Sequence, residues 1–256
     1  MYVLVDLGYL LFYRMHATLA YLSHRKEGNP EEMATMEMFE NHLIAQLDKL
    51  KKKAKKLFGQ VEPVFLFCQD ERQHVIWRMK VYPDYKGNRA ESNEMVRSVR
   101  KIMLKIVAKY GTIYKSPGLE ADDIAYLLVK EIRKRPRNTT TPILIITSDR
   151  DYLQMKDDYI TIMDGSGKEI KGSDHGATID LLIKVLMGDT SDNIPPVAKG
   201  VGKKTAANLA IDSAKLAEFI KKKACQDTFE RNKQLIDMSM IPKELVDAFL
   251  SELHIP

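Results

Sequence analysis

The sequence predicts an α/β fold, a mostly parallel central sheet flanked by helices, with an all-helical C-terminal part. Three observations carry the prediction. Short runs of the buried-strand type recur along the first part of the 256 residues, and the main ones close on an aspartate: Tyr2-Val3-Leu4-Val5 on Asp6, Val64 to Cys68 on Asp70, Ile143 to Thr147 on Asp149. Between these runs apolar residues recur at three and four, the period of a helix covering one face of a sheet. After Ala206 the chain reads as short amphipathic helices down to Leu253.

Taken in order, the first strand ends at Asp6, and Leu10, Leu11, Phe12, Tyr13 and Arg14 begin a helix. Met36, Phe39, Leu43, Leu47, Leu50 and Ala54 predict one long amphipathic helix over 31–58 with a solvated, lysine-rich end. The second strand leads through Asp70 into a run from Arg78 to Arg89 in which Lys80, Tyr82, Tyr85, Lys86 and Arg89 alternate with Pro83 and Gly87. Such a run makes a poor core element. It suits a mobile contact in which Lys and Arg neutralise phosphates and a tyrosine ring stacks on an unpaired base. A helix over 94–110 carries Met95, Val99, Met103, Ile106 and Val107 on one face and Arg97, Arg100, Lys101 and Lys105 on another. Thr112-Ile113-Tyr114 is a short strand, and the stretches 159–163 and 168–171, around Asp164-Gly165-Ser166-Gly167, predict a hairpin. A helix over 179–187 precedes Gly188-Asp189-Thr190-Ser191-Asp192.

Composition excludes several classes. Of the residues 45% are hydrophobic and 29% charged, enough for one sizeable core plus a smaller unit. The longest apolar runs, such as Pro63 to Cys68, are strand-length and too short to cross a bilayer. The start meets Asp6 at once, without a basic leader, so an intracellular, cytoplasmic protein is expected. Two cysteines, Cys68 and Cys225, make neither a disulfide framework nor a zinc site. The net charge of +5 hides a separation, with acids in short motifs and bases in clusters. Each basic cluster alone fits a solvated helix face, and together they fit a polyanionic substrate.

Gly118-Leu119-Glu120-Ala121-Asp122-Asp123 is the most crowded acidic motif. Glu120 and Asp123 stand four residues before Ile124 and Leu127, on the stripe that the helix buries. Two readings remain open here: an acidic first turn favoured by the helix dipole, or a hard-cation site, because like charges in one crevice raise one another's pKa unless a metal neutralises them. Asp6 and Asp149-Arg150-Asp151 carry the same pair of readings, helix cap or ligand at a strand's carboxyl end. In Gly200-Val201-Gly202-Lys203-Lys204-Thr205 two glycines before a helix start let backbone N–H groups approach a phosphate. The spacing matches neither the dinucleotide fingerprint nor the P-loop.

In this order the motifs Val5-Asp6, Asp70, Tyr85-Lys86-Gly87-Asn88-Arg89, Leu119 to Asp123, Thr147 to Asp151, Gly188 to Pro195 and Gly200 to Ala206 resemble the 5′-nuclease family. This is the flap endonuclease and 5′-3′ exonuclease group of phages, viruses and bacteria, including the nuclease domain of family A polymerases. The resemblance covers nearly the whole chain. It implies two divalent metal ions, magnesium or manganese, one held mainly by Asp6, Asp70, Glu120 and Asp122 and the other by Asp149, Asp151, Asp189 and Asp192. Asp123 would lie between or beside them, and Asp122, Asp123, Lys86 and Arg89 would serve catalysis. It also implies a helical arch over about 82–110, through which a single-stranded 5′ end passes, with Tyr85, Lys86, Arg89, Arg97, Arg100 and Lys101 on the nucleic acid. Gly200, Gly202, Lys203, Lys204 and Thr205 would belong to a helix-three-turn-helix element gripping duplex phosphates, with a structural potassium ion near Gly200 to Thr205.

The implied organisation is a nuclease domain over 1–183 and a duplex-binding lobe over 184–256. The implied partner is DNA with a 5′ flap or single-stranded 5′ end, or an RNA–DNA hybrid. With no attached polymerase and no clamp-binding motif near Pro256, a free-standing monomer is expected. Two departures from the family pattern are one extra residue between Asp6 and Arg14, and Pro196 and Ala198 where Gly-Val-Pro is usual. The competing readings are a non-catalytic module that binds branched DNA and a single-metal ribonuclease. The filled acid positions speak against the first, and the glycine–lysine loop and C-terminal helices against the second.

Overall fold

The computed structural model describes residues 1–25, 28–90, 92–135 and 139–256. Among these, five strands form one sheet, all neighbours parallel, in the order β3-β2-β1-β4-β5: β1 Tyr2–Asp6, β2 Val64–Cys68, β3 Gly111–Tyr114, β4 Ile143–Ile146 and β5 Ile160–Met163. The chain starts in the middle, runs outward through β2 and β3, and then crosses to the other side of β1 with β4 and β5. The direction of winding therefore reverses between β1 and β4. At such a reversal the connections leave in opposite directions and open a crevice beyond the carboxyl ends of the strands.

Alternation along the strands builds a core on each face. Val3, Val5, Phe65, Phe67, Leu144 and Ile146 pack against α1 Leu7–Arg25, α3 Met36–Phe58 and α5 Glu94–Val107. Tyr2, Leu4, Leu66, Cys68, Ile143 and Ile145 face α6 Ala121–Lys134, whose Ile124, Leu127, Leu128 and Ile132 form the buried stripe.

The sequence and the structure part at several points. The long helix expected over 31–58 is broken: α2 Pro30–Met33 ends, and Thr35 starts α3 by accepting from the Met38 N–H at 3.2 Å. A threonine that satisfies an otherwise orphaned helix N–H competes with helix continuation. The predicted hairpin contracts to one antiparallel bridge, Met163 with Glu169, while β5 pairs in parallel with β4. The run after Arg78, read as a poor core element, includes the helix α4 Trp77–Val81 and the buried side chains of Arg78 and Tyr85.

The remaining helices are α7 Ala177–Met187, α8 Lys203–Ala210, α9 Ser213–Lys223, α10 Gln226–Ile236 and α11 Lys243–Ser251. Leu186, Val197, Val201, Ala206, Leu209 and Cys225 form a separate small core with Ile179, Leu182 and Ile183 packed on it. A division between residues 183 and 184 thus falls inside α7. Nor do all the C-terminal helices stay in that lobe, because Phe249 and Ile255 join the core beneath α6 and the Tyr114 hydroxyl donates to the His254 carbonyl at 2.6 Å. No helix among the described residues is long and apolar enough to cross a membrane.

Gly188, directly after α7, has φ +70, and a Cβ there would lie 2.3 Å from the Ile194 carbonyl oxygen. That approach lets Asp189 and Ile194 exchange backbone hydrogen bonds at 2.9 and 2.8 Å, closing the loop that carries Asp189 and Asp192. Gly59, with φ +86 and no atom near its missing Cβ, is the natural control. Gly188→Ala should cost about 2–4 kcal/mol in urea unfolding and Gly59→Ala about 1 kcal/mol. Equal costs would mean that the close approach is not what requires the glycine.

Candidate metal centre

Parallel pairing sets Asp6, Asp70 and Asp149 side by side. Asp6 ends β1 beside Cys68 of β2, Asp70 follows two residues later, and Asp149 lies just beyond β4. The Asp6 carboxylate accepts from the Tyr9 N–H at 2.9 Å and from the Thr147 and Tyr152 hydroxyls at 3.3 and 3.2 Å. Asp70 accepts from the Ala121 N–H at 3.0 Å, so the first turn of α6 is tied to the end of β2. Neither carboxylate pairs with a lysine or arginine among the described residues. Burial, followed by repulsion from Asp70, pushes the Asp6 carboxyl up to about 7, and burial also raises Asp70.

Glu120 and Asp123 meet a buried cation. Arg78 is 1% exposed, and its guanidinium donates to Glu120 Oε2 at 2.8 Å and to both oxygens of Asp123 at 2.8 Å. Its Nε donates to the Leu235 carbonyl at 2.8 Å, and the plane stacks 4.7 Å from the Trp77 ring centre. Asp123 also accepts from Trp77 Nε1 at 3.0 Å and from the Glu120 N–H at 3.1 Å. Expected between or beside two ions, Asp123 is instead fully buried with both oxygens engaged, which makes it the counter-ion of Arg78. Burial would raise Glu120, but Lys86 and Arg78 outweigh it and hold the carboxyl at about 2. Asp122 stays partly open. Its Oδ2 lies 3.6 Å from Arg78, and burial lifts its pKa well above the carboxylate range despite that neighbour.

Three more cations reach the acids. Lys86 pairs with Glu120 and lies 3.9 Å from Asp192, and Arg89 donates to Asp192 at 2.7 Å. Tyr85 is 2% exposed, its hydroxyl shared between Glu120 Oε2 at 3.1 Å and Asp192 Oδ2 at 3.0 Å. A ring expected to stack on a base is here packed with Ile76, Val185 and Leu235. Lys86 has φ +56, a left-handed conformation that non-glycine residues seldom adopt outside functional turns. Lys184, which the sequence reading passed over, pairs with Asp151 and, at 2.7 Å, with Asp189. Burial pushes Asp151 up to about 6 even so, whereas Lys184 more than offsets burial at Asp189 and lowers it.

The predicted acids therefore converge, with a different grouping. Asp192 is joined to Glu120 through Tyr85 and Lys86, while Asp151 and Asp189 share Lys184. Asp149 accepts from the Asp151 N–H at 2.8 Å and repels Asp6. Arg100 lines a small cavity with Gly8, Gln69 and Asp70, and Arg97 and Lys101 stand exposed on α5. Arg14 turns toward α3, donating to Gln46 at 3.3 Å. Gly200, with φ +86, Gly202 and Lys203 to Thr205 form an open surface in the other lobe, with nothing within 4 Å of either glycine's missing Cβ.

The donor set suits a hard divalent cation. Asp6 and Asp70 are acceptor-only groups without a paired base. Between them Gly8 keeps space clear, since a Cβ would lie 2.8 Å from Asp70 Oδ2 and 3.4 Å from Asp6 Oδ1. On the first turn of α6, Asp122 is half-open, and single oxygens of Glu120, Asp122 and Asp123 all lie within 4.8 Å of one another.

The family model of the 5′-3′ exonuclease N-terminal resolvase-like domain matches residues 1–180, and the chain belongs to that family. It is 28% identical to DNA polymerase I of Caldicellulosiruptor bescii over 74% of this chain and 24% of the polymerase. It is 30% identical to DNA polymerase I of Streptococcus pneumoniae over 62% of this chain and 19% of the polymerase. The chain thus spans about a quarter or less of the length of these relatives. Its fold is that of the bacteriophage T5 5′-exonuclease with bound zinc, at TM-score 0.69 and 17% identity over 98% of both chains. The bacteriophage T5 flap endonuclease with DNA and metal ions has the same TM-score at 18% identity, over 98% of this chain and 97% of that one.

Burial of these acids predicts a pH signature. Asp6 and Asp151 have folded values of about 7 and about 6 against 3.8, so their contribution to stability is full below about pH 4 and lost as the pH rises through those values. Glu120, held at about 2, acts the other way, its contribution being lost only as the pH falls below its ordinary 4.5. In EDTA the melting temperature should therefore fall by roughly 5 °C between pH 4.5 and 7.5. Asp6→Asn should flatten the fall and a divalent ion should remove it. An unchanged slope in Asp6→Asn would rule out this origin.

Proposed function

We propose that the protein is a metal-dependent, structure-specific 5′ nuclease that hydrolyses phosphodiester bonds near single-strand/duplex junctions in DNA replication or repair. 5′ flaps and 5′ ends would be its substrates, with RNA–DNA hybrids a further class. The observation that carries this reading is that Asp6, Asp70 and Asp149 stand at the carboxyl ends of β1, β2 and β4, where the sheet's winding reverses, with the first turn of α6 tied to Asp70 and Asp189 joined to Asp151 through Lys184. Membership of the 5′-3′ exonuclease family supports it. So does the fold shared with a phage flap endonuclease crystallised with DNA and metal ions.

In this reading Asp6, Asp70, Glu120 and Asp122 would hold one divalent ion, magnesium or manganese, and Asp149, Asp151 and Asp189 a second, which Asp192, joined to Glu120 through Tyr85 and Lys86, would reach once Lys86 and Arg89 release it. Two such ions supply an activated water and neutralise charge on the attacking and leaving oxygens of an in-line displacement. The side chains do the rest. Lys86 and Arg89 would exchange Glu120 and Asp192 for oxygens of the scissile phosphodiester, whose single negative charge grows as the displacement proceeds, so that the exchange strengthens toward the transition state. Release of Glu120 from Lys86 leaves that carboxylate for the ion. Arg78 would keep the α6 acids oriented. Arg97, Arg100 and Lys101 on α5 would neutralise backbone phosphates, and the open loop from Gly200 to Thr205 would grip the duplex, with a potassium ion as an added partner.

A labelled 5′-flap duplex tests this with and without magnesium. Asp122→Asn and Asp189→Asn should each slow cleavage at least about 100-fold. Flap binding in calcium should stay within about threefold, since each change removes repulsion from the incoming phosphate at constant volume. Lys86→Ala should slow cleavage far more than it weakens binding. Tight flap binding with no cleavage by the parent protein would instead make it a non-catalytic branched-DNA module.

A further inference from the structure

Lys184 is the charged residue in the run Leu181-Leu182-Ile183-Lys184-Val185-Leu186-Met187, where its helix otherwise supplies core side chains. Its ammonium does not reach for solvent. It bridges Asp151, from the turn after β4, and Asp189, from the loop after α7, and is 27% exposed. The other oxygen of Asp189 is taken by the Ser191 N–H at 2.8 Å and its hydroxyl at 2.6 Å. The Asp189 oxygen that could serve an ion is thus the one on Lys184. Asp6 and Asp70 differ, meeting only neutral donors in hydrogen bonds.

The two halves of the centre are therefore unequal. In one, Asp6 and Asp70 have room between them and no base, although its Glu120 is paired with Lys86 and Arg78; in the other, Asp151 and Asp189 share a single ammonium. We propose that Lys184 is a tethered competitor for the second ion, occupying Asp151 and Asp189 until a divalent cation displaces it, and so sets that site's affinity below its partner's. The inference rests on the metal-centre reading above. Displacement needs somewhere for the ammonium to go. Lys184 lines an open cavity of about 850 Å³ with Arg150, His175, Asp180 and Lys203, and its flexible four-carbon stem can swing into that space and be hydrated there. An arginine at the same position would hold the two carboxylates with a planar fork and release them less readily.

The test is manganese uptake by the full chain without nucleic acid, followed by the electron paramagnetic resonance signal of the free ion. The parent protein should bind one ion more tightly than the other. Lys184→Met should tighten the weaker step about tenfold, leaving the tighter step within about twofold, whereas Lys184→Arg should keep the two steps apart. Lys184→Gln, which keeps hydrogen-bond donors but no charge, should tighten the weaker step as well and serves if the methionine variant does not fold. Thermal melts add a second readout: the uncharged variants should melt lower than the parent in EDTA and gain more from manganese. A folded Lys184→Met or Lys184→Gln whose weaker step is unchanged or weaker would overturn the proposal. If the parent and all variants take up no manganese, the metal-centre reading itself fails and the proposal falls with it.

Discussion

Negative charge confined at the carboxyl ends of β1, β2 and β4 is the constraint around which this chain is arranged. Carboxylates brought together out of water repel one another and lose hydration, so each must be protonated, paired with a base or given a metal ion. The chain uses the second course for Glu120, Asp123, Asp151, Asp189 and Asp192, through Arg78, Lys86, Arg89 and Lys184. Asp6 and Asp70 are left without a base, and burial pushes their carboxyls up. These are the two acids that a cation could still neutralise.

Arg78 is the strongest of these ties. A guanidinium buried to 1% exposure has to find partners for all its donors, and it finds them on three elements: Glu120 and Asp123 at the start of α6, the Leu235 carbonyl in α10, and the Trp77 face in its own helix. The same contacts fix the angle at which Asp122 enters the crevice and fasten the foot of the Tyr85–Arg89 turn to the C-terminal helices. Removing one member would strand the others as unpaired buried charges, typically a loss of about 3–5 kcal/mol. Asn232 continues the link by donating to the Val185 and Pro195 carbonyls at 3.1 and 2.8 Å, holding the Asp189 loop to α10.

The strands and their terminal acids were legible because both are local signals: an apolar run of strand length, then an aspartate where a parallel strand must end. The helix start after Gly202 was readable for the same reason. What escaped the sequence depends on pairings distant in the chain. Nothing near Tyr85 says that its hydroxyl meets Glu120 and Asp192, so the aromatic–basic run looked mobile. Arg78 sat unnoticed within that run, although an arginine beside the only tryptophan of a short helical turn was a usable hint. Lys184 left a clearer trace as a lone charge in an apolar helix five residues before Asp189. The break at Thr35 and the docking of Phe249 under α6 were lost because apolar periodicity reports which face is buried, not what buries it.

The account stands or falls on whether divalent ions enter the crevice between Asp6, Asp70 and Asp122. Anomalous diffraction from crystals soaked in manganese is the most direct measurement. It should place a strong peak between the Asp6 and Asp70 carboxylates beside Gly8, with Asp122 facing it. Manganese found only at surface acids such as Asp157 or Glu169, with Asp6 and Asp70 unliganded, would contradict the account.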